Sequence, residues 1–282
     1  MVSYAELSGP PASPSSPMST SRYAIDKGKL PGHLRDCVVV LNADDACRHF
    51  VDRAQEGALK EVLCGGMAAL LQLCLTLTDL NAWLHRGEMF VLSSAQARHL
   101  LGGPFQRLLD VGAGDGAVTT QLAPLAREVI TTEASHPMAK RLRERGWPCL
   151  VTEMPAAGFT YDLISCLNVL DRCKRPLTLL RRLREMLSPS GVLLVGVVVP
   201  WRPAVLERGG LTTAPSETLP RAVREAGTFE QSAVALAEQV FEPLGLQVRR
   251  LARVPYLSRG GPHGSILALN DALFVLTARG EA

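Results

Sequence analysis

Nine residues, Leu108-Leu-Asp-Val-Gly-Ala-Gly-Asp-Gly116, close an apolar run, and the next run, Glu128-Val-Ile-Thr-Thr-Glu133, ends on an acid. A strand that breaks on three closely spaced glycines, enters a helix and is answered by a carboxylate at the tip of the following strand fits few architectures. Glycine allows the positive φ and close ligand approach that a strand-to-helix turn beneath a nucleoside cofactor demands. Spacing narrows the choice of cofactor. A dinucleotide site uses Gly-x-Gly-x-x-Gly, whose third glycine would fall at 117, where this chain has Ala; its glycine is at 116. No pyrophosphate cradle is expected. Glu133 is placed to accept hydrogen bonds from both hydroxyls of a ribose, a bidentate use that suits one carboxylate.

From residue 104 onward, strand and helix patterns alternate. Strands are expected over 107–111, 128–133, 148–151, 161–167, 191–199, 246–254 and 271–278, with helices over 117–125, 136–145, 176–187 and 230–243. Such alternation implies an α/β fold with a mostly parallel sheet of seven strands and helices on both faces. Pro176 suits the first turn of its helix, and Leu177, Leu180, Leu183 and Leu187 are expected to bury one side against the sheet. The Pro/Gly-rich stretch 200–228 exceeds an ordinary connection and is expected to form a substrate loop or lid.

Upstream, eleven of the fourteen residues from Ser8 to Ser21 are Ser, Pro or Gly, so residues 1–30 read as a disordered tail. Residues 31–103 read as an N-terminal helical cap. Its segments lie near 44–55 and 57–80, followed by a short one opened by Ser93-Ser94 and closed by Gly102-Gly103. The uncharged stretch 62–78 contains Gly65, Gly66, Gln72 and Thr76 and stops at Asp79, which suits a buried helix better than a membrane span.

Composition excludes several classes. With 282 residues and 47% apolar content the chain can bury a sizeable core, and a net charge of +3 is too small to argue for nucleic acid or a membrane surface. The arginines at 181, 182, 184, 249, 250 and 253 read as solvated faces. Seven scattered cysteines without a Cys-x-x-Cys pair read as buried thiols, and no metal site is expected. As given, the N-terminus carries no secretory signal pattern and points to the cytoplasm. Six isolated histidines include His136, placed to line the cofactor pocket; Trp83, Trp147 and Trp201 read as packing residues, with Trp201 positioned to flank the substrate cleft.

Ligands in open α/β sheets sit outside the carboxyl ends of the strands, which directs attention to Asn168 and Asp171 after Tyr161-Asp-Leu-Ile-Ser-Cys-Leu167. The glycine spacing with Asp110 in front resembles motif I of the class I S-adenosylmethionine-dependent methyltransferases. Gly87-Glu-Met-Phe-Val-Leu-Ser93, Thr132-Glu133, the thirteen residues Tyr161–Cys173, Pro176-Leu-Thr-Leu-Leu180 and Arg253-Val-Pro-Tyr-Leu257 narrow the resemblance to the DREV family of protein-L-histidine N-pros-methyltransferases. That resemblance runs from about 85 to 278. It implies the class I methyltransferase Rossmann-like fold, S-adenosylmethionine as cofactor, and methylation of the pros nitrogen of histidine in His-x-His segments of protein substrates. It also implies that Asp110, Gly112, Gly114 and Glu133, with Ala113, Asp115 and Asn168, hold the cofactor, and that Asn168, Asp171 and Tyr256 address the substrate imidazole. Two departures from the family pattern, 200–228 and 258–270, bear on substrate preference. Family members begin with an apolar leader, so an incomplete N-terminus would imply the secretory pathway instead. A small-molecule methyltransferase and an inactive cofactor-binding scaffold are the competing functions, and oligomeric state is left open.

Overall fold

The computed structural model describes residues 18–56, 77–83, 88–206, 212–259 and 266–280. Its first elements, before the sheet begins, are two 3-10 turns, Thr20–Arg22 and Lys27–Lys29. The expected tail through residue 30 is therefore corrected for 18–30. Tyr23 and Leu30 are buried, the Asp26 N–H donates to Glu230 (3.0 Å), and Arg253 donates to the carbonyl of Ala24 (3.1 Å). Two apolar anchors and two long-range polar ties offset the ordering entropy that composition alone made prohibitive.

Helix α1 (Asp45–Glu56) matches the expected segment near 44–55, and α2 (Leu77–Trp83) is the described part of the segment expected over 57–80. Residues 57–76 of that segment, and with them Cys64 and Cys74, lie outside the described residues. Strand β1 (Met89–Phe90) precedes α3 (Ser94–Leu101), whose capping box pairs Ser93 with Gln96 and whose C-terminus is Gly102 at φ 77°. The segment 31–103 is thus not purely helical. Strand β1 joins the main sheet, antiparallel to its edge.

The sequence of elements then runs β2 (Phe105–Val111), α4 (Ala117–Leu122), β3 (Ala126–Glu133), α5 (His136–Glu144), β4 (Cys149–Val151), β5 (Tyr161–Leu167), α6 (Pro176–Glu185) and β6 (Leu187–Val198). The connection that follows holds a small hairpin, β7 (Val205–Leu206) with β8 (Thr212–Thr213), and a short helix α7 (Arg221–Glu225). Helix α8 (Phe229–Leu236) continues as a π turn, Ala237–Phe241, and leads to β9 (Leu246–Ser258) and β10 (Leu267–Ala278).

One sheet of eight strands has the order β1-β9-β10-β6-β5-β2-β3-β4. Strands β6, β5, β2, β3 and β4 are mutually parallel, and β10 inserts antiparallel between β9 and β6. Seven of these strands are those the sequence predicts; the eighth, β1, is too short for period-2 alternation to register. The arrangement is the class I methyltransferase Rossmann-like fold.

Alternation divides the core. Leu109, Val111, Ile164, Cys166, Leu193, Val195 and Phe274 face one side with Leu179, Leu180 and Leu183 of α6; Leu108, Leu163, Leu194 and Leu273 face the other with Leu100 and Leu122. Central strands buried on both faces explain the near-continuous apolar runs. Leu177, expected in the buried stripe, is only partly buried and Leu179 is buried instead, while Leu187 already belongs to β6. Trp201 is buried in this core rather than flanking a cleft, and Trp83 is exposed. Among the described residues, no helix is long and apolar enough to cross a membrane.

Candidate active site

Strands β3, β2 and β5 lie side by side, so Glu133, the Gly112–Gly116 turn and Asn168 line one sheet edge across two strand spacings, roughly 10 Å. The turn is built for closeness. Gly112 has φ 66°, and a Cβ added there would stand 2.6 Å from Cγ2 of Val169. Only a glycine lets β2 pass against the loop that carries Asn168. The Ala113 N–H donates to the Thr132 carbonyl (3.0 Å), tying the turn to β3.

Glu133 ends β3 and is buried. Its Oε2 accepts from the Gly114 N–H (2.9 Å) and its Oε1 from the Ser135 N–H (2.9 Å). Burial raises its pKa, against the opposing pull of these backbone donors. A carboxylate has about four lone-pair sites, so capacity for a ribose hydroxyl remains beside the Gly114, Ser135 and Ala134 backbone donors. Ser135, which caps α5, donates its hydroxyl to Asp79 of α2 (2.6 Å), so the N-terminal segment reaches this shell.

Two expected cofactor ligands are otherwise engaged. Asp110 is fully inside the sheet layer: Oδ2 accepts from the Thr119 hydroxyl (2.6 Å) and Oδ1 from the Ser165 hydroxyl (2.6 Å). Burial lifts its pKa to about 6, the two hydroxyls opposing and the Glu133 charge adding to the rise. It braces β2 against α4 and β5. Asp115 accepts from the Ala117 N–H (3.1 Å) and pairs with Arg145 (3.1 Å) and Arg141 (3.7 Å), fastening the turn to α5. His136 opens α5 with an exposed side chain.

After β5 the chain turns at Asn168, whose φ of 57° is the one positive value among described non-glycine residues, a conformation asparagine tolerates better than most. Its Nδ2 donates to Oδ2 of Asp271 (2.9 Å), while its Oδ1 is buried without a partner. Asp171, also buried, accepts from Arg172 Nε on Oδ2 (3.0 Å), and its Oδ1 too has no partner. The Asp171 carbonyl accepts from the Ala204 N–H (2.8 Å), and the Lys174 carbonyl from the Ser216 N–H (2.8 Å), so the 200–228 connection is seated on this loop. Tyr256 of β9 is buried, with its hydroxyl against the Met89 sulfur of β1; the Met89 methyl in turn lies 3.5 Å from a Cβ added at Gly114. Asn168, Asp171, Glu133 and the glycine turn are therefore gathered at one end of the sheet, with Tyr256 linked to them through Met89.

Sequence reasoning did not single out Asp271, Asp79 or Met89 as site residues. A lone acid heading the apolar run Ala272–Leu276 was the available signal for Asp271; Asp79 and Met89 carry no local signature.

Curated relatives match over part of the chain. The ubiquinone biosynthesis O-methyltransferase of Cereibacter sphaeroides is 32% identical over 102 residues, 32% of this chain and 41% of that protein. The bifunctional biotin biosynthesis protein BioHC of Cellvibrio japonicus is 32% identical over 108 residues, 36% of this chain and 22% of that protein. The chain thus spans about two fifths, or less, of the length of these relatives. Similar solved structures include the DhpI–SAH complex (16% identity, TM-score 0.45, 67% of this chain and 84% of that one). The N-methyltransferase NodS from Bradyrhizobium japonicum WM9 with S-adenosyl-L-homocysteine is another (17%, TM-score 0.42, 67% and 86%). The DREV methyltransferase family model matches residues 22–278, nearly the whole length. On the glycine turn, the strand order and that match, the chain belongs to the DREV methyltransferase family.

Proposed function

We propose that this protein methylates histidine in proteins, at the pros nitrogen of His-x-His segments, using S-adenosylmethionine. The residues present fit that cofactor: Glu133 has spare acceptor capacity for a ribose, and Gly114 brings side-chain-free backbone up beside it. When bound, the cofactor supplies an electrophilic sulfonium methyl group. Gly112, Ala113, Gly114 and Glu133 hold it, with the backbone of the Asn168 turn beside them; Asp110 and Asp115 act through the turn they brace.

One observation carries the choice of acceptor. Among the described residues three buried side-chain oxygens have no donor, Asn168 Oδ1, Asp171 Oδ1 and Asp271 Oδ1, and the first two belong to the loop that follows β5. Acceptor-only groups suit a substrate that brings an N–H. A neutral imidazole attacks through the nitrogen that lacks the proton, so an enzyme selective for the pros nitrogen must hold the proton at the tele nitrogen. Asp171 accepts that N–H in this reading, and Asn168 and the hydroxyl of Tyr256 fix the ring. Such positioning is most of what methyl transfer needs from a protein. The described residues of the 200–228 connection, seated on the Asp171 loop through Ala204 and Ser216, form the substrate-side wall in this reading.

The test is methyl transfer from labelled S-adenosylmethionine to a panel of His-x-His peptides and matched His-free controls. Labelled peptides with N-pros-methylhistidine on hydrolysis are the expected result. Silent peptides with a labelled metabolite extract would instead favour a small-molecule acceptor, the class named for the ubiquinone O-methyltransferase relatives. Binding without any transfer would favour a scaffold.

A further inference from the structure

Asp271 is a charged side chain with no exposure at all, at the head of a strand segment whose next five residues are buried and apolar. Burying a carboxylate costs several kcal/mol unless it is paired. Its place in the sheet suggests what it is for. On β10 it stands opposite Val198 of β6 and Val254 of β9, at the same sheet end as Asn168. By strand alternation Asp271 shares a face with Tyr256, two residues along β9 from Val254.

Strand β6 lies between Asp271 and the end of β5, and the side chain reaches across it at a glycine. A Cβ added at Gly196 would come to 3.4 Å from Asp271 Oδ2 and 2.8 Å from Leu167 Cδ2. Across that gap Asp271 Oδ2 accepts from Asn168 Nδ2 at 2.9 Å. Ionised, as it is at pH 8 and above, this carboxylate only accepts, so at that pH, where the tests below are run, it selects the amide's NH2 side. The planar amide then has its oxygen turned the other way, and that oxygen is the buried atom left without a partner.

We infer that Asp271 is a positioning residue: through the Gly196 gap it locks the Asn168 amide with Oδ1 turned away from Asp271, so that Asn168 fixes the ring of an incoming acceptor whose one N–H Asp171 accepts. This rests on the reading of Asn168 as a substrate contact. Asp271→Asn keeps the side-chain shape but offers a donor as readily as an acceptor, so the amide loses its enforced orientation.

With a His-x-His peptide as acceptor, Asp271→Asn lowers kcat by about tenfold or more while cofactor affinity, measured by calorimetry, stays within about threefold of wild type. The double variant with Asn168→Ala is no slower than Asn168→Ala alone, because both changes remove the same contact. Wild-type kcat in Asp271→Asn, or losses that multiply in the double variant, would overturn the inference. Should the wild-type protein label no peptide, the histidine reading fails by itself, and orientation is read from the nitrogen-15 spectrum. The Asn168 side-chain NH2 pair, assigned by its absence in Asn168→Ala, lies downfield when held by a carboxylate and moves upfield in Asp271→Asn. An unmoved pair overturns the inference; Asp271→Ser takes the place of Asp271→Asn if the latter does not fold.

Discussion

At the scale of single residues, the site depends on close approach and on where carboxylates point. Gly112→Ala introduces a Cβ at φ 66° and 2.6 Å from Val169, the neighbour of Asn168. The dihedral alone costs roughly 1–2 kcal/mol, and the displaced Val169 moves the Asn168 loop. The variant is expected to bind S-adenosylmethionine at least about tenfold more weakly, with partial recovery when Val169→Ala removes the obstructing methyls. Calorimetry on the pair of variants decides it; undiminished affinity in Gly112→Ala would mean the loop yields freely. Asp171→Asn keeps the side-chain volume but trades an acceptor oxygen for a donor. Turnover on peptides should fall on the order of a hundredfold with cofactor affinity little changed. Unchanged turnover removes Asp171 from the mechanism.

Elements are held in register by features that mix local and distant causes. Helix α8 starts on the capping box of Thr228 and Gln231, readable from sequence, but it widens into the π turn Ala237–Phe241 before its end. Phe241 is fully buried and packs edge-on against Phe274 of β10, with ring centroids 5.0 Å apart at 67°. Aromatic packing against the sheet thus accompanies a departure from the regular helix expected over 230–243. Phe241→Ala should cost about 3–5 kcal/mol, as other large-to-small core changes do, read as a lower denaturant midpoint at constant m-value. A loss below about 1 kcal/mol would show that this contact does not anchor the helix. At the other end of the fold, Ser93 caps α3 and its hydroxyl also meets Asp44, so one short helix start ties the N-terminal segment to the sheet.

For the whole molecule, buried carboxylates set the pH response. Burial lifts Asp110 to about 6 and Asp271 to about 7, with the Asp171 charge adding to the second. Both groups titrate near 4 in an unfolded chain. Between those values the folded state binds more protons than the unfolded one. Their contribution to stability is full below pH 4 and is lost as pH rises through 6 and 7. Glu133, also raised by burial, acts in the same direction. Glu217 opposes: burial would raise it, but the Thr178 hydroxyl and N–H hold it below its ordinary value, so its stabilisation is lost on acidification, in a lower window. The melting temperature is expected to decline from pH 5 to pH 8, and Asp110→Asn combined with Asp271→Asn to flatten that slope. A wild-type profile that rises over this range would contradict the assignment.

Much of this was legible in sequence. The glycine turn, the Glu133 tip, the run Tyr161–Leu167, the cap at Ser93 and the helix start at Pro176 stand where residue order puts them, because dihedral preference, two-residue alternation and capping are set by near neighbours in the chain. Tertiary structure alone decided that Asp110 turns inward to two hydroxyls, that residues 18–30 pack against α8 and β9, and that β1 brings Met89 to Tyr256. It alone brought Asp271 to Asn168, 103 positions away, past a glycine in the strand between them. Such meetings depend on strand order and on which face each side chain takes. Those are settled by burying all the apolar surfaces together, and no local pattern of residues records the result.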